Sequence, residues 1–131
     1  YQDEDPKKFS VLDNDEILIE IQIPIPSKNT KSKFEKFATR KSIDFPIVNC
    51  ASMVVSEKGK VVNAKVCLNA VYTKPYEAKK AEDYIVGKTI EDETAEAAAK
   101  AAISDAKALS NNEYKIEVAK SLVKETLLAC K

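Results

Sequence analysis

Length and composition limit this chain to an ordinary soluble domain. Its 131 residues are 44% hydrophobic and 32% charged, which fits one globular unit with its own core. The 21 basic residues balance 21 acidic ones, so net charge favours neither nucleic acid nor an anionic membrane. No apolar run approaches the roughly 18 residues of a membrane helix, and YQDEDPKK does not resemble a signal peptide. We expect a single domain over residues 1–131, with its core at about 12–129.

The N-terminal part predicts a loose lead-in followed by a strand. Residues 1–14 are acidic and polar, and Asp3–Asp5 could recruit a cation or form a solvated tail. Glu16–Ile25 alternates, which is typical of a half-buried strand. Pro24 and Pro26 end this strand and favour a sheet edge, because proline donates no ladder hydrogen bond. One face carries Ile17, Ile19, Ile21, Ile23 and Ile25, and the other Leu18, Glu20 and Gln22.

The middle of the chain predicts a β-hairpin over Asp44–Tyr72. Ser27–Lys33 reads as a polar loop, and Phe34–Arg40 as a short extended piece that feeds the hairpin. A two-residue turn at Lys58-Gly59 suits a tight hairpin, since glycine tolerates positive φ. This register faces apolar residues with one another: Val55 with Val62, Met53 with Ala64, Ala51 with Val66, and Ile47 with Ala70. The opposite face then carries Ser52, Asn63, Lys65 and Asn69.

Three cysteines, Cys50, Cys67 and Cys130, are widely spaced and form no CxxC motif. Their odd number argues against a disulfide scaffold or a zinc site and favours a cytoplasmic location. The hairpin register places Cys50 opposite Cys67, so a bridge between them stays open. The alternative is that both are small buried hydrophobic residues.

Three helices are predicted after the hairpin. In the first, Pro75 lies in the first turn, Ala81, Tyr84 and Ile85 form an apolar stripe, and Gly87 ends the helix. A capping box at Thr89–Asp92 begins the second, which runs to about Ala108. Ser110–Glu113 is a second box and opens the last helix, to about Ala129. Inward residues are Ala95, Ala98, Ala99, Ala102, Ile103 and Ala106, then Ala119, Leu122, Val123 and Leu127.

The fold class is therefore α+β, an antiparallel sheet of three to four strands covered by three C-terminal helices in two layers. The chain has no histidine and only two glycines, which removes the commonest general base and any glycine-rich phosphate loop. Glu91–Glu93 are explained as charges at a helix start. The basic run of Lys31, Lys33, Lys36, Arg40 and Lys41 is either a solvated loop or a contact for an anion or cofactor.

The order of short motifs resembles a known family. These motifs are I-x-I-P at Ile21–Pro24, Lys36–Arg40 leading to Asp44-Phe45-Pro46, the E-K-G-K turn, K-P-Y-E-A-K-K-A-E at 74–82 and L-S-N-N-E-Y-K-I-E at 109–117. The chain is similar to the C-terminal domain of the FAD-binding subunit of molybdenum hydroxylases. That family includes carbon monoxide dehydrogenase medium subunits and the flavin portions of xanthine and nicotinate dehydrogenases. The second hairpin strand of the family usually ends in small or glycine-containing residues, where this chain has Leu68-Asn69-Ala70.

The resemblance implies a role beside a flavin. FAD would be held mainly by N-terminal domains of the same subunit, with this domain over the isoalloxazine side. Leu18, Lys36 and the loop that carries Arg40 and Lys41 would approach the flavin, and a cation there would tune its electronics. Iron–sulfur and molybdopterin subunits would be further partners. The resemblance implies no catalytic residue and no metal ligand in this chain.

Three candidate functions from different classes follow. The first is an accessory domain of a subunit that passes electrons from iron–sulfur clusters to NAD or another acceptor, without tight FAD binding or catalysis by this chain alone. The second is a free-standing structural or dimerisation module without a cofactor, in which a homodimer would form. A small carboxylate enzyme is a third and would need paired acids with shifted pKa values in a pocket.

Overall fold

One four-stranded antiparallel sheet and three helices make up the fold, which confirms the α+β prediction. The computed structural model describes residues 10–41 and 43–131, so Asp3–Asp5 lie outside the described residues. The strands lie in chain order across the sheet. They are β1 (Thr30–Phe37), β2 (Val48–Glu57), β3 (Lys60–Asn69) and β4 (Tyr76–Glu77), followed by α1 (Lys79–Ile85), α2 (Asp92–Ala102) and α3 (Tyr114–Ala129).

The hairpin turn lies where the sequence predicts it, but the strand register beyond the turn differs from the predicted register. Glu57 pairs with Lys60, and Lys58 and Gly59 have φ of 50° and 78°, as a tight hairpin turn requires. A bulge then follows: Val55 pairs with Asn63 while Ser56 pairs with Val61. One extra residue on β3 therefore shifts every pair beyond the bulge. The predicted pairs, from Val55–Val62 to Ile47–Ala70, are wrong for that reason.

This shift exchanges the two faces of β2. Its buried residues are Val48, Cys50, Ser52 and Val54, whereas Ala51 is exposed. On β3 the inward prediction is correct for Ala64 and Val66 and wrong for Val62, which is 45% exposed. Side chains alternate between the faces of a strand, so a shift of one residue turns each β2 side chain to the other face.

The bulge also separates the two hairpin cysteines. Cys50 pairs with Leu68, and Cys67 pairs with Ala51. Cys50 is fully buried on the helix side, whereas Cys67 is only partly covered, and all three cysteines are free thiols. The register that would have allowed a Cys50–Cys67 bridge is therefore absent.

The helices cover one face of the sheet. α3 packs on β1 and β2, α1 packs on β3, and α2 packs against both helices. Close packing of α2 is possible because its inward side chains are alanines. The predicted inward residues are buried in α2 through Ala102 and in α3: Ala95, Ala98, Ala99, Ala102, Ala119, Leu122, Val123 and Leu127.

The helix ends differ from the predicted ones. Pro75 precedes β4 instead of opening α1, although Gly87 (φ 81°) does end that helix. Glu91, not Thr89, caps α2, and its backbone N–H donates to the Thr94 hydroxyl at 2.9 Å. α2 ends at Ala102, because residues 103–105 form a turn. This leaves Ala106 exposed, contrary to the prediction.

The last helix also starts without its predicted capping box. α3 begins at Tyr114, its N-cap is Glu113, and that residue makes no side-chain capping hydrogen bond. Ser110 lies outside the helix, in a turn where Asn111 has a φ of 66° and the Asn112 side chain accepts a hydrogen bond from Leu109 N–H at 2.7 Å. The first turn of the helix then begins with Lys115 N–H, which donates to the Asn112 carbonyl at 3.0 Å.

The N-terminal predictions are partly wrong. Thr30–Lys33 belongs to β1, not to a loop. Glu16–Ile25 forms neither a strand nor a helix, and its five isoleucines are 76–96% exposed. Within the described residues this segment has no ladder partner, and its isoleucines are not covered. No helix among the described residues is long and apolar enough to cross a membrane.

Two sets of buried polar groups tie the layers together. Glu82 of α1 is 1% exposed, and its carboxylate accepts a hydrogen bond from Val66 N–H at 3.0 Å. Lys65 and Lys79 reach the other carboxylate oxygen at 3.4 and 3.3 Å. Between α3 and β2, the hydroxyl oxygens of Thr126 and Ser52 lie 2.7 Å apart. These contacts satisfy groups that would otherwise be buried without partners.

Candidate functional site

The loop between β1 and β2 brings together most of the basic residues that the sequence selects. Ile47 N–H donates to the Phe37 carbonyl at 2.8 Å and closes the loop at its base. Within it, Arg40 backbone N–H and guanidinium donate to the two carboxylate oxygens of Asp44, at 3.0 and 3.3 Å. Lys36 Nζ donates to the Asp44 carbonyl at 3.2 Å. We call Lys36, Arg40, Lys41, Asp44 and Phe45 the β1–β2 corner.

Asp44 is the organising residue of this corner. The hydrogen bond from the Arg40 side chain, followed by that from the Arg40 backbone, lowers the pKa of Asp44, and Lys36 adds a smaller electrostatic contribution. The carboxylate is therefore ionised at neutral pH, and it neutralises Arg40. Nothing but the spacing of opposite charges at Arg40 and Asp44 signals this in the sequence, and sequence reasoning did not select Asp44 as a site residue.

Lys36 keeps its positive charge available. Its ammonium group bonds to a carbonyl oxygen, and no carboxylate among the described residues forms an ion pair with it. Lys41, in the same corner, is also exposed. Phe45, 93% exposed, places an apolar ring on the same loop. A lysine and an exposed aromatic ring in one corner suit a planar, electron-rich ligand better than a free phosphate.

Leu18 belongs to a different part of the structure. It lies in segment 16–25, before β1, and is 63% exposed, whereas Lys36, Arg40 and Lys41 lie in or beside one loop. The structure thus gathers three of the four residues that the sequence analysis selects for a cofactor. The cofactor role of all four, Leu18 included, stays a prediction.

The sheet face away from the helices continues from this corner. Phe34, Ala51 and Cys67 lie side by side on β1, β2 and β3, and Phe34 is 57% exposed. The next row toward the loop is Lys36 and Asn49. Sequence reasoning missed this outward row, because the bulge in β3 decides which face Ala51 occupies.

A cavity of about 390 Å³ opens at the same end of the sheet, on the helix side. Its walls are largely apolar and include Leu68, Tyr76, Ile103 and Ile116. The Lys115 ammonium at its rim donates to the Ala70 carbonyl at 2.8 Å. Ala70 has a φ of 64°, a conformation that glycine adopts without strain.

Reactive groups among the described residues lack the setting of a catalytic site. Burial raises the pKa of Cys50, Cys67 and Cys130, which keeps the thiols protonated and poorly nucleophilic. No group of three or more cysteine, aspartate or glutamate side chains in the described ranges could hold a metal ion.

The family comparison is decisive over most of the chain. The model of the CO dehydrogenase flavoprotein C-terminal domain matches residues 33–130, which include the β1–β2 corner and all four strands except the start of β1. This chain belongs to that family. It is therefore a domain of the flavoprotein subunit of CO dehydrogenase-like molybdenum hydroxylases, as the resemblance implies. A comparison with curated protein sequences gives no significant match.

Solved structures agree with the family. Quinoline 2-oxidoreductase from Pseudomonas putida 86 is 30% identical with a TM-score of 0.73, over 81% of this chain and 38% of that one. Carbon monoxide dehydrogenase from Hydrogenophaga pseudoflava is 27% identical with a TM-score of 0.76, over 82% and 39%. Reconstituted CO dehydrogenase from Oligotropha carboxidovorans, 23% identical with a TM-score of 0.70, shares the fold over 79% and 37%. This domain spans about two fifths of each of those chains.

Proposed function

We propose that this domain is the C-terminal domain of an FAD-binding subunit in a cytoplasmic molybdenum hydroxylase, where it lies over the isoalloxazine side of FAD. The subunit would take electrons from iron–sulfur clusters, reduced at a molybdopterin site, and pass them to NAD or another acceptor. FAD supplies the electron-transfer chemistry. The observation that carries this proposal is the family match over residues 33–130, which includes the β1–β2 corner.

The residues present suit a contact with FAD at one side and not its enclosure. The chain has two glycines, Gly59 in the hairpin turn and Gly87 after α1, and neither lies in a phosphate-binding loop. The β1–β2 corner instead offers one available ammonium group at Lys36 and one exposed ring at Phe45. Such a corner can stabilise negative charge on a flavin ring that other domains hold.

A fluorescence titration tests the first part of the proposal. We expect the 131-residue chain alone to give no saturable change below about 10 μM FAD. Saturation at nanomolar FAD would contradict an accessory role. Light scattering on the same sample tests the alternative of a dimerisation module, which requires a stable dimer that the flavin-binding portion does not change.

The role of Lys36 needs the flavin in place. We expect Lys36→Met, measured in complex with the flavin-binding portion of a family member, to lower the two-electron flavin potential. Loss of a nearby cation disfavours the more negative reduced form, and about 30 mV corresponds to a tenfold change in that equilibrium.

The matched control is Lys58→Met, in the hairpin turn at the opposite end of the sheet. It removes the same charge and should leave the potential unchanged. Equal shifts in both variants would show that net charge, and not the β1–β2 corner, sets the potential.

A further inference from the structure

The isoleucine segment Glu16–Ile25 has the pattern of a strand but lies outside the sheet. Its isoleucines at 17, 19, 21, 23 and 25 are 84, 89, 76, 83 and 96% exposed. No backbone group of residues 17–25 forms a backbone hydrogen bond within the described ranges. Five exposed isoleucines in a segment without backbone hydrogen bonds are costly in water, because both the apolar side chains and the polar backbone groups are stabilised by partners.

The ends of the segment are nevertheless defined. Glu16 N–H donates to the Asp13 carbonyl at 3.1 Å, and Thr30 N–H donates to the Ser27 carbonyl at 3.0 Å. A turn therefore precedes the segment and another follows it. Pro24 and Pro26 lack N–H groups, so a ladder could extend only to about Ile23. The segment between the turns has the length of an ordinary strand.

The domain's own sheet is a poor acceptor for this segment. The sheet has two edge strands, β1 and β4. β4 is only two residues long, and β1 carries Lys31, Lys33 and Lys36 in its eight residues. Lysines on an edge strand oppose the addition of another strand. The lysines therefore disfavour pairing of Glu16–Ile25 with β1 of the same chain or of a second copy. A different sheet is the better partner for this segment.

We propose that Glu16–Ile23 adds as a β-strand to a sheet in the flavin-binding portion of the subunit, with its isoleucines in the core of that portion. This inference rests on the proposed function. The family match begins only at residue 33, so the segment lies outside the C-terminal domain proper and directly next to it. The matched solved chains have about three fifths of their length outside this domain, which provides room for such a sheet.

Strand addition would also orient the other face of the segment. With the isoleucines inward, Leu18, Glu20 and Gln22 point away from the core of the partner. Glu20 and Gln22 already share that face, since Gln22 Nε2 donates to Glu20 Oε1 at 2.6 Å. Leu18 would then be presented outward, at the junction between the two portions of the subunit. The strand therefore fixes how the C-terminal domain is attached.

The experiment mixes the full 131-residue chain with the FAD-loaded flavin-binding portion of the Hydrogenophaga pseudoflava CO dehydrogenase flavoprotein. Its flavin spectrum confirms that this partner is folded. We expect amide exchange at residues 17–23 to slow by about 100-fold on mixing. Ile19→Lys with Ile21→Lys should weaken binding by about 30-fold or more, whereas the control Glu20→Lys with Gln22→Lys should weaken it less than about threefold.

Each other outcome has a separate meaning. Binding with unprotected amides at 17–23, or with unchanged affinity in the isoleucine double variant, overturns the strand proposal and leaves the proposed function standing. Absence of binding by the unmodified chain contradicts the proposed function itself. Slowed amide exchange at residues 17–23 in the chain alone, with a doubled mass in light scattering, would identify a second copy as the partner. That result would overturn the proposal that the strand pairs with the flavin-binding portion.

Discussion

Two stretches of this chain carry the same alternating apolar pattern and end in opposite environments. In β2, Val48, Cys50 and Val54 are at most 1% exposed. In residues 16–25, every second side chain is an isoleucine, and each is at least 76% exposed. The pattern alone therefore indicates a strand with one apolar face, but not the surface that covers this face. β2 has two neighbouring strands and α3, whereas residues 16–25 have none of these.

The largest expected difference between the two stretches is in stability. Leu127→Ala removes a fully buried side chain that packs from α3 into the core, so it should lower the free energy of unfolding by about 3 kcal/mol. Ile21→Ala removes an exposed side chain and should change the unfolding free energy of the chain alone by less than about 0.5 kcal/mol. Urea denaturation measures both. A loss above about 1 kcal/mol for Ile21→Ala would show that the segment already packs on this domain.

A smaller loss is expected at the contact between α1 and β3. Glu82→Ala removes the acceptor of the buried Val66 N–H and should cost about 2 kcal/mol in the same denaturation experiment. Asp83, next to it, is 66% exposed at its side chain and pairs only at the surface with Lys79. Asp83→Ala should therefore cost less than about 0.5 kcal/mol. Equal losses at the two positions would mean that the Glu82 hydrogen bond adds nothing beyond surface charge.

The smallest expected effect is a titration at the β1–β2 corner. The pKa of Asp44 is lowered by Arg40, so the carboxylate contact is complete above the ordinary aspartate pKa and is lost as pH falls through the lowered value. In a carboxyl NMR titration, Arg40→Met should raise the Asp44 pKa toward its ordinary range. Lys41→Met removes the same charge one residue away and should leave it nearly unchanged. An equal rise in both variants would contradict a specific Arg40–Asp44 contact.

Much of the fold was predictable because it depends on local signals. The Lys58-Gly59 turn, the helix stop at Gly87 and the alanine face of α2 follow from backbone conformation and helical periodicity. Helix starts were less predictable, since several acidic and hydroxyl residues near Thr89 and Ser110 compete for the same backbone N–H groups. In the candidate site, Lys36 and Arg40 are recognisable from the sequence as part of a basic run. The role of Asp44 is not, because it depends on the fold of the loop that brings Asp44 to Arg40.

The sequence by itself determined the α+β class, the tight turn and the three helices, because each depends on residues close together in the chain. The tertiary structure decided the faces of β2, through one extra residue in β3 that no local pattern marks. It also decided that Ile17 to Ile25 stay uncovered while Ser52 is buried against Thr126. Burial depends on which surfaces meet, and surfaces far apart in sequence meet only in the folded chain.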